Sequence, residues 1–226
     1  MRNRYSVVTS TGVLVMALAL ATACAGGGAD LAAAPAVSPA TATGQGGAAP
    51  EGFDRIGGPA NGLTVAFPAS WVALDLTKDD LEQGLKRSGL SGQALEQAEQ
   101  GLRPLVTNKA VWAFDPGSRR SSPNKFTTNL NGYCQPSATT SAEELISAAR
   151  KELEQLKAKV IQTSTPQIGG VKAARLVYTF PAGGVQIRGT QFYLPASGKT
   201  CTLTLSTDQD GKQRLFDQIG ETIRLS

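Results

Sequence analysis

From Leu63 onward the chain reads as a series of short alternating or apolar runs separated by turn signals. Asn61-Gly62 is a strong turn pair. After it, Leu63 to Phe67 alternates as a half-buried strand does, Pro68 ends it, and Trp71 to Leu74 begins another. Thr77 caps a helix, with Asp79 and Asp80 in its first turn and Leu81 and Leu85 facing inward. Gly89 and Gly92 interrupt, a second helical stretch carries Leu95, Ala98 and Leu102, and Pro104 closes it. Residues 110–114 form a buried strand. Arg119 to Asn124 is a polar loop. Lys125 to Cys134 is a strand with Phe126, Thr128, Leu130, Gly132 and Cys134 on one side.

Ser141-Ala-Glu-Glu144 is a capping box. The helix behind it, 141–158, has Leu145, Ala149, Leu153 and Leu156 as its apolar stripe. Strands follow at about 171–180, 185–194 and 199–207, with Gly183-Gly184 and Ser197-Gly198 as the turns between them. A helix at about 212–220 carries Leu215, Phe216 and Ile219, and Thr222 to Leu225 adds an edge strand. Hairpin turns between successive strands imply an antiparallel sheet with helices packed on it, an α+β design.

The N-terminus has a different pattern. Arg2 and Arg4 precede an uncharged stretch to Ala23, wholly apolar from Val13 to Leu20, and small residues lead to Cys24. Positive end, short apolar stretch and small-residue region make a secretory signal rather than a membrane span. Ala21-Thr-Ala-Cys24 resembles the bacterial lipobox, although Ala21 stands where Leu is usual. That resemblance implies lipid attachment at Cys24 and a protein on the outer face of the cell membrane. The other reading is plain secretion after cleavage at an A-x-A site. Ala25 to Pro50 holds ten Ala, six Gly and three Pro in 26 residues, with one charge. Such a stretch buries too little apolar surface to order itself. The expected organisation is a signal at 1–23, a disordered tether at 24–52 spanning roughly 30 Å, and one folded domain at 53–226.

Composition narrows the chemistry. The 226 residues contain no His and three Cys, which excludes His-based triads, His bases and a Cys-only zinc site. No metal site and no cofactor are expected. Without Arg2 and Arg4, 20 basic and 18 acidic side chains leave a net charge of +2, too balanced for a nucleic-acid footprint.

Leu63-Thr-Val-Ala-Phe-Pro-Ala-Ser-Trp71 resembles the opening of PsbP-like domains, the group that includes the Mog-type factors. The polar strand at 126–134, the helix at 141–158 and Gly169-Gly-Val-Lys-Ala-Ala174 before a strand are similar too. Bacterial versions include the LpqN-type lipoproteins of actinobacteria. The resemblance implies an α/β/α sandwich with a central antiparallel sheet and no catalytic residues. It implies an accessory role, through an envelope protein partner or an apolar ligand.

Individual motifs add little chemistry. Ser197-Gly-Lys-Thr200 imitates a phosphate loop, but Tyr193 stands where Gly is needed and a strand follows, so it is a hairpin turn. Ser122-Pro-Asn-Lys125 fits a Ser-x-x-Lys pattern without its companion motifs. A carboxylate-based hydrolase would need two converging acids, and no such pair stands out. Trp71, Trp112, Tyr178, Phe180, Phe192 and Tyr193 line either a packed core or a pocket for an acyl ligand. Cys134 is in register with Leu130, and Cys201 with Leu203, so both face the core side. In an oxidising compartment, with Cys24 lipidated, they form a disulfide or remain two separate buried thiols. The reading is a noncatalytic binding or adaptor module, with the loops or the 77–105 helical segment as its contact surface.

Overall fold

A computed structural model describes residues 49–76, 81–87, 91–138 and 141–226. The signal, Cys24, most of the tether, and the Thr77 cap with Asp79 and Asp80 lie outside the described residues.

The strands are β1 (Phe53–Gly58), β2 (Leu63–Pro68), β3 (Val72–Asp75), β4 (Val111–Phe114), β5 (Asn129–Pro136), β6 (Lys159–Ser164), β7 (Gln167–Ile168), β8 (Val171–Lys172), β9 (Ala174–Ala182), β10 (Val185–Ala196), β11 (Lys199–Thr207) and β12 (Arg224–Leu225). The helices are α1 (Leu81–Arg87), α2 (Gly92–Thr107), α3 (Ser118–Ser121), α4 (Ala142–Gln155) and α5 (Gln213–Glu221). Seven strands form an antiparallel central sheet in the order β3-β4-β5-β11-β10-β9-β6. A smaller sheet, β1-β2-β12, and the β7-β8 hairpin complete the strands.

Alternation along the strands decides which layer each side chain joins. Leu130, Phe192, Leu194, Cys201, Leu203 and Leu205 face α5 and the small sheet, where Leu63, Val65, Phe67, Phe216 and Ile219 meet them. The opposite face carries two separate clusters. One sets Leu74, Trp112, Phe114 and Tyr133 against Leu85, Leu95, Leu102 and Leu105 of α1 and α2. The other sets Leu176, Tyr178 and Tyr193 against Leu145, Ala149 and Leu153 of α4. The central antiparallel sheet is therefore covered on both faces, as the sandwich expectation required. One covering layer combines α5 with the small sheet.

Local chemistry explains where the elements differ from expectation. The Ser141 hydroxyl accepts the Glu144 N–H at 3.2 Å, which starts α4 as the capping box implies. The helix stops at Gln155 because Lys157 takes a left-handed φ of 60° and the Ala158 N–H turns back to the Leu153 carbonyl. Leu156 is therefore not part of the apolar stripe; it is 42% exposed. Pro104 does not close α2, which continues to Thr107. The extra turn buries Leu105 completely, which offsets the backbone bond that proline removes. β5 begins at Asn129, not Lys125, because the Phe126 and Thr128 N–H groups donate to the Ser122 and Ser118 hydroxyls instead of a strand. Part of the expected polar loop is the short turn α3.

Gly220 of α5 lies against Phe192 of β10. A Cβ there would stand 2.3 Å from the ring. In an ordinary exposed helix, Gly→Ala stabilises by up to about 1 kcal/mol. Here Gly220→Ala is expected to destabilise by about 2–3 kcal/mol, because Phe192 has no room to retreat. Urea unfolding reads the sign directly, and a gain in stability would contradict this packing.

Candidate functional site

At the N-terminal end of α5 a run of polar side chains ties helix to sheet. The Thr190 hydroxyl of β10, fully buried, donates to Gln213 Oε1 at 3.2 Å, and Gln213 Nε2 donates to Asp217 Oδ1 at 3.1 Å. Arg175 of β9 meets the same carboxylate through Nε at 2.8 Å and Nη2 at 2.7 Å, and reaches Gln162 of β6 at 3.3 Å. This network holds the helix start at a set height above β9 and β10.

Beside it is a cleft of about 130 Å³, lined among others by Ile161, Val177, Arg188, Thr190, Gln209 and Phe216. Two ion pairs flank it, Arg188 with Asp210 and Lys212 with Asp115. The first joins two exposed side chains, so it is weak and exchangeable. The cleft opens at β6, the terminal strand of the central sheet. There the pairing with β9 shifts register at Ile161, and the Ile161 side chain is 57% exposed.

Next to the cleft, the Ser-x-x-Lys stretch has a structural task. The Ser122 hydroxyl donates to Asp208 at 2.6 Å and accepts the Asn124 and Phe126 N–H groups at 3.1 and 2.8 Å. It is buried and follows α3 rather than opening a helix, so its proton and lone pairs are committed to loop structure. Gln209 pins the same loop through the Ser118 carbonyl and the Ser121 hydroxyl. Ser197-Gly198 is the β10–β11 turn, with Ala196 paired to Lys199 and Gly198 at φ 69°.

A second, open groove of about 570 Å³ lies at the start of α4, along Glu143, Val171, Lys172 and Pro195. Lys172 forms an ion pair with Glu143 and, through its hydrogen bond, holds that carboxyl below its usual range.

The six aromatics do not converge on a pocket. Trp71 and Phe192 pack in the α5-side core, Trp112 under α1 and α2, and Tyr178, Phe180 and Tyr193 under α4. Tyr133, Tyr178 and Tyr193 are buried, and burial pushes all three phenols up, Tyr133 to about 12. Among the described residues no group of three or more His, Cys, Asp or Glu could hold a metal ion.

Cys134 and Cys201 are directly opposed on β5 and β11, with Cα atoms 3.9 Å apart, and are joined by a disulfide. The Asn61-Gly62 turn packs on this bridge: a Cβ at Gly62 would lie 2.8 Å from Cys134 Sγ. Sequence reasoning missed β6 and the Arg175–Asp217 link. A lone arginine inside an otherwise apolar strand run was the available signal for the link.

No family model matches the chain, and no curated relative matches it. Among solved structures it is similar to the cyanobacterial PsbP (CyanoP) of Synechocystis, at 16% identity and TM-score 0.48, over 80% of this chain and 96% of that one. It is similar to LpqN of Mycobacterium tuberculosis, described as involved in cell envelope biogenesis, at 16% identity and TM-score 0.43, over 77% of this chain and 91% of that one. It is also similar to the immunity protein TplEi of Pseudomonas aeruginosa, at 9% identity and TM-score 0.37, over 77% and 98%.

Proposed function

We propose that this chain is a noncatalytic binding or adaptor module at the outer face of the cell membrane, held there by lipid on Cys24. The observation that carries the reading is the cleft at the start of α5, continuous with the free edge of the central sheet. Ile161 offers an apolar anchor there, Arg188 offers an exchangeable charge, and Lys212 adds a second positive charge beside it. The bulge at Ile161 and the exposed Lys159 discourage indiscriminate strand pairing, so side chains rather than the open ladder select the partner. An acyl carrier would draw on the aromatics, and those are occupied in three packed clusters.

A photo-crosslinker in place of Ile161, activated in intact cells, is expected to give a discrete protein adduct by mass spectrometry. The same group at Lys151, on the exposed face of α4, is expected to give none. Equal labelling from both positions would remove the cleft from the proposal. Lipid anchoring is tested separately. Cys24→Ala is expected to move the protein from the membrane fraction to the medium, or to leave it uncleaved. Normal processing with full membrane retention would overturn the lipid reading and leave the cleft untouched.

A further inference from the structure

The outward face of the small sheet holds two neighbouring arginines. Arg55 of β1 donates through Nη1 to the Thr64 hydroxyl at 3.2 Å and to the Thr222 carbonyl at 3.1 Å. Arg224 of β12 is paired in register with the same Thr64 and donates through Nη1 to the Glu221 and Ile223 carbonyls at 2.9 and 2.7 Å. Arg55 therefore reaches Thr64 with its side chain from β1, and Arg224 stands beside Thr64 in register on β12, across β2 from Arg55. Among the described residues neither has a carboxylate partner: Glu221 offers Arg224 its backbone carbonyl, whereas Arg175, also tied by several hydrogen bonds, has Asp217. Burial and the nearby Arg224 both push the Arg55 pKa down, so the pair is repulsive as it stands.

The bonds in use leave a definite set of donors. Because Nη1 of Arg55 is taken, its Nε–Nη2 edge is left over, and Nε is a buried donor without a partner. That edge is the one with which a guanidinium grips an oxyanion side-on, through two parallel N–H bonds. Backbone carbonyls already hold both arginines, so little side-chain freedom remains to be lost on binding. We infer that Arg55, Arg224 and Thr64 form a binding site for a phosphate-type oxyanion, separate from the cleft and at the other end of α5. An anion there would neutralise the repulsion and satisfy the orphaned Nε. Arg55 lies two residues into the folded domain, directly after the Ala/Gly/Pro-rich stretch. Two sources of the same chemistry are therefore within reach, a lipid headgroup phosphate and a free phosphate.

The test uses the Cys24→Ala chain, which carries no lipid of its own. Inorganic phosphate is titrated while the arginine Nε–H resonances are followed by NMR. A saturable shift of the Arg55 signal is expected. The midpoint should weaken roughly tenfold in Arg224→Gln, read on the Arg55 signal, and similarly in Arg55→Lys, a change that keeps the charge but removes the fork and is read on the Arg224 Nε–H signal. Lys151→Gln should leave it unchanged. Arg224 is exposed, so its variant is expected to stay folded by circular dichroism and to decide the matter if Arg55→Lys does not. Retention on phosphatidylglycerol vesicles but not on phosphatidylcholine vesicles points to the headgroup. Phosphate binding without vesicle retention points to a free anion. The absence of a saturable shift, or equal weakening by Lys151→Gln, overturns the site.

Discussion

Replacing Cys134 and Cys201 together by alanine is expected to lower the stability of the folded domain by about 4 kcal/mol. The two residues are 67 positions apart in the chain. Closing a loop of that length restricts the unfolded ensemble by roughly this amount in the chain-entropy account. Domains of this kind hold about 5–15 kcal/mol in all, so the loss is a large fraction of the total. The bridge joins β11, the middle strand of the central sheet, to its neighbour β5 and supports the Asn61-Gly62 turn that leads into β2. Reduction should therefore loosen the small sheet along with β5 and β11. Urea unfolding with and without dithiothreitol measures the effect. Identical midpoints, or two free thiols by mass after non-reducing purification, would refute the bridge.

Alkaline pH should produce the other large effect. Tyr133, Tyr178 and Tyr193 are buried, and burial raises all three phenol pKa values above the ordinary 10. A raised folded pKa means that the neutral form is the one the fold accepts. Below about pH 10 the phenols are neutral in both states, and this contribution is fully present. Above it the unfolded chain ionises first, and stability falls through the window that ends near 12 for Tyr133 and higher for the other two. Each tyrosine costs about 1.4 kcal/mol per pH unit, so the three together cost about 4 kcal/mol per unit. Cooperative unfolding is expected between about pH 11 and 12. Phenolate absorbance should rise together with the loss of circular dichroism. A phenolate signal that titrates near pH 10 with the fold intact would show that these rings are open to water. The chain contains no histidine, so no side chain of ordinary His pKa adds a transition near neutrality.

Much of the architecture was legible in residue order because its causes are local. The capping box at Ser141 works within four residues, and the observed bond from the Glu144 N–H is the one it implies. The Thr/Leu alternation of 199–207 needs only the two-residue period of a strand. Leu95, Ala98 and Leu102 needed only the helical period, and they are buried. The same holds for the cysteines up to a point. Alternation places Cys134 and Cys201 on the core side, and that is as far as one strand can say.

Only the tertiary structure decided what depends on neighbours distant in the chain. Whether the two cysteines meet depends on β5 and β11 being adjacent and in register, which is a property of the strand order. β6 was invisible because Lys159 to Ser164 has little apolar periodicity; its strand form comes from pairing with β9. Leu156 read as core by spacing, yet a left-handed Lys157 ended the helix before that spacing could act. β5 started late because two serine hydroxyls claimed backbone donors that a period-two pattern assigns to a strand. The cleft and the Arg55–Arg224 pair belong to the same class. Each gathers residues from strands and from the last helix and its flanks, and only the packing of α5 and β12 brings those residues to one place.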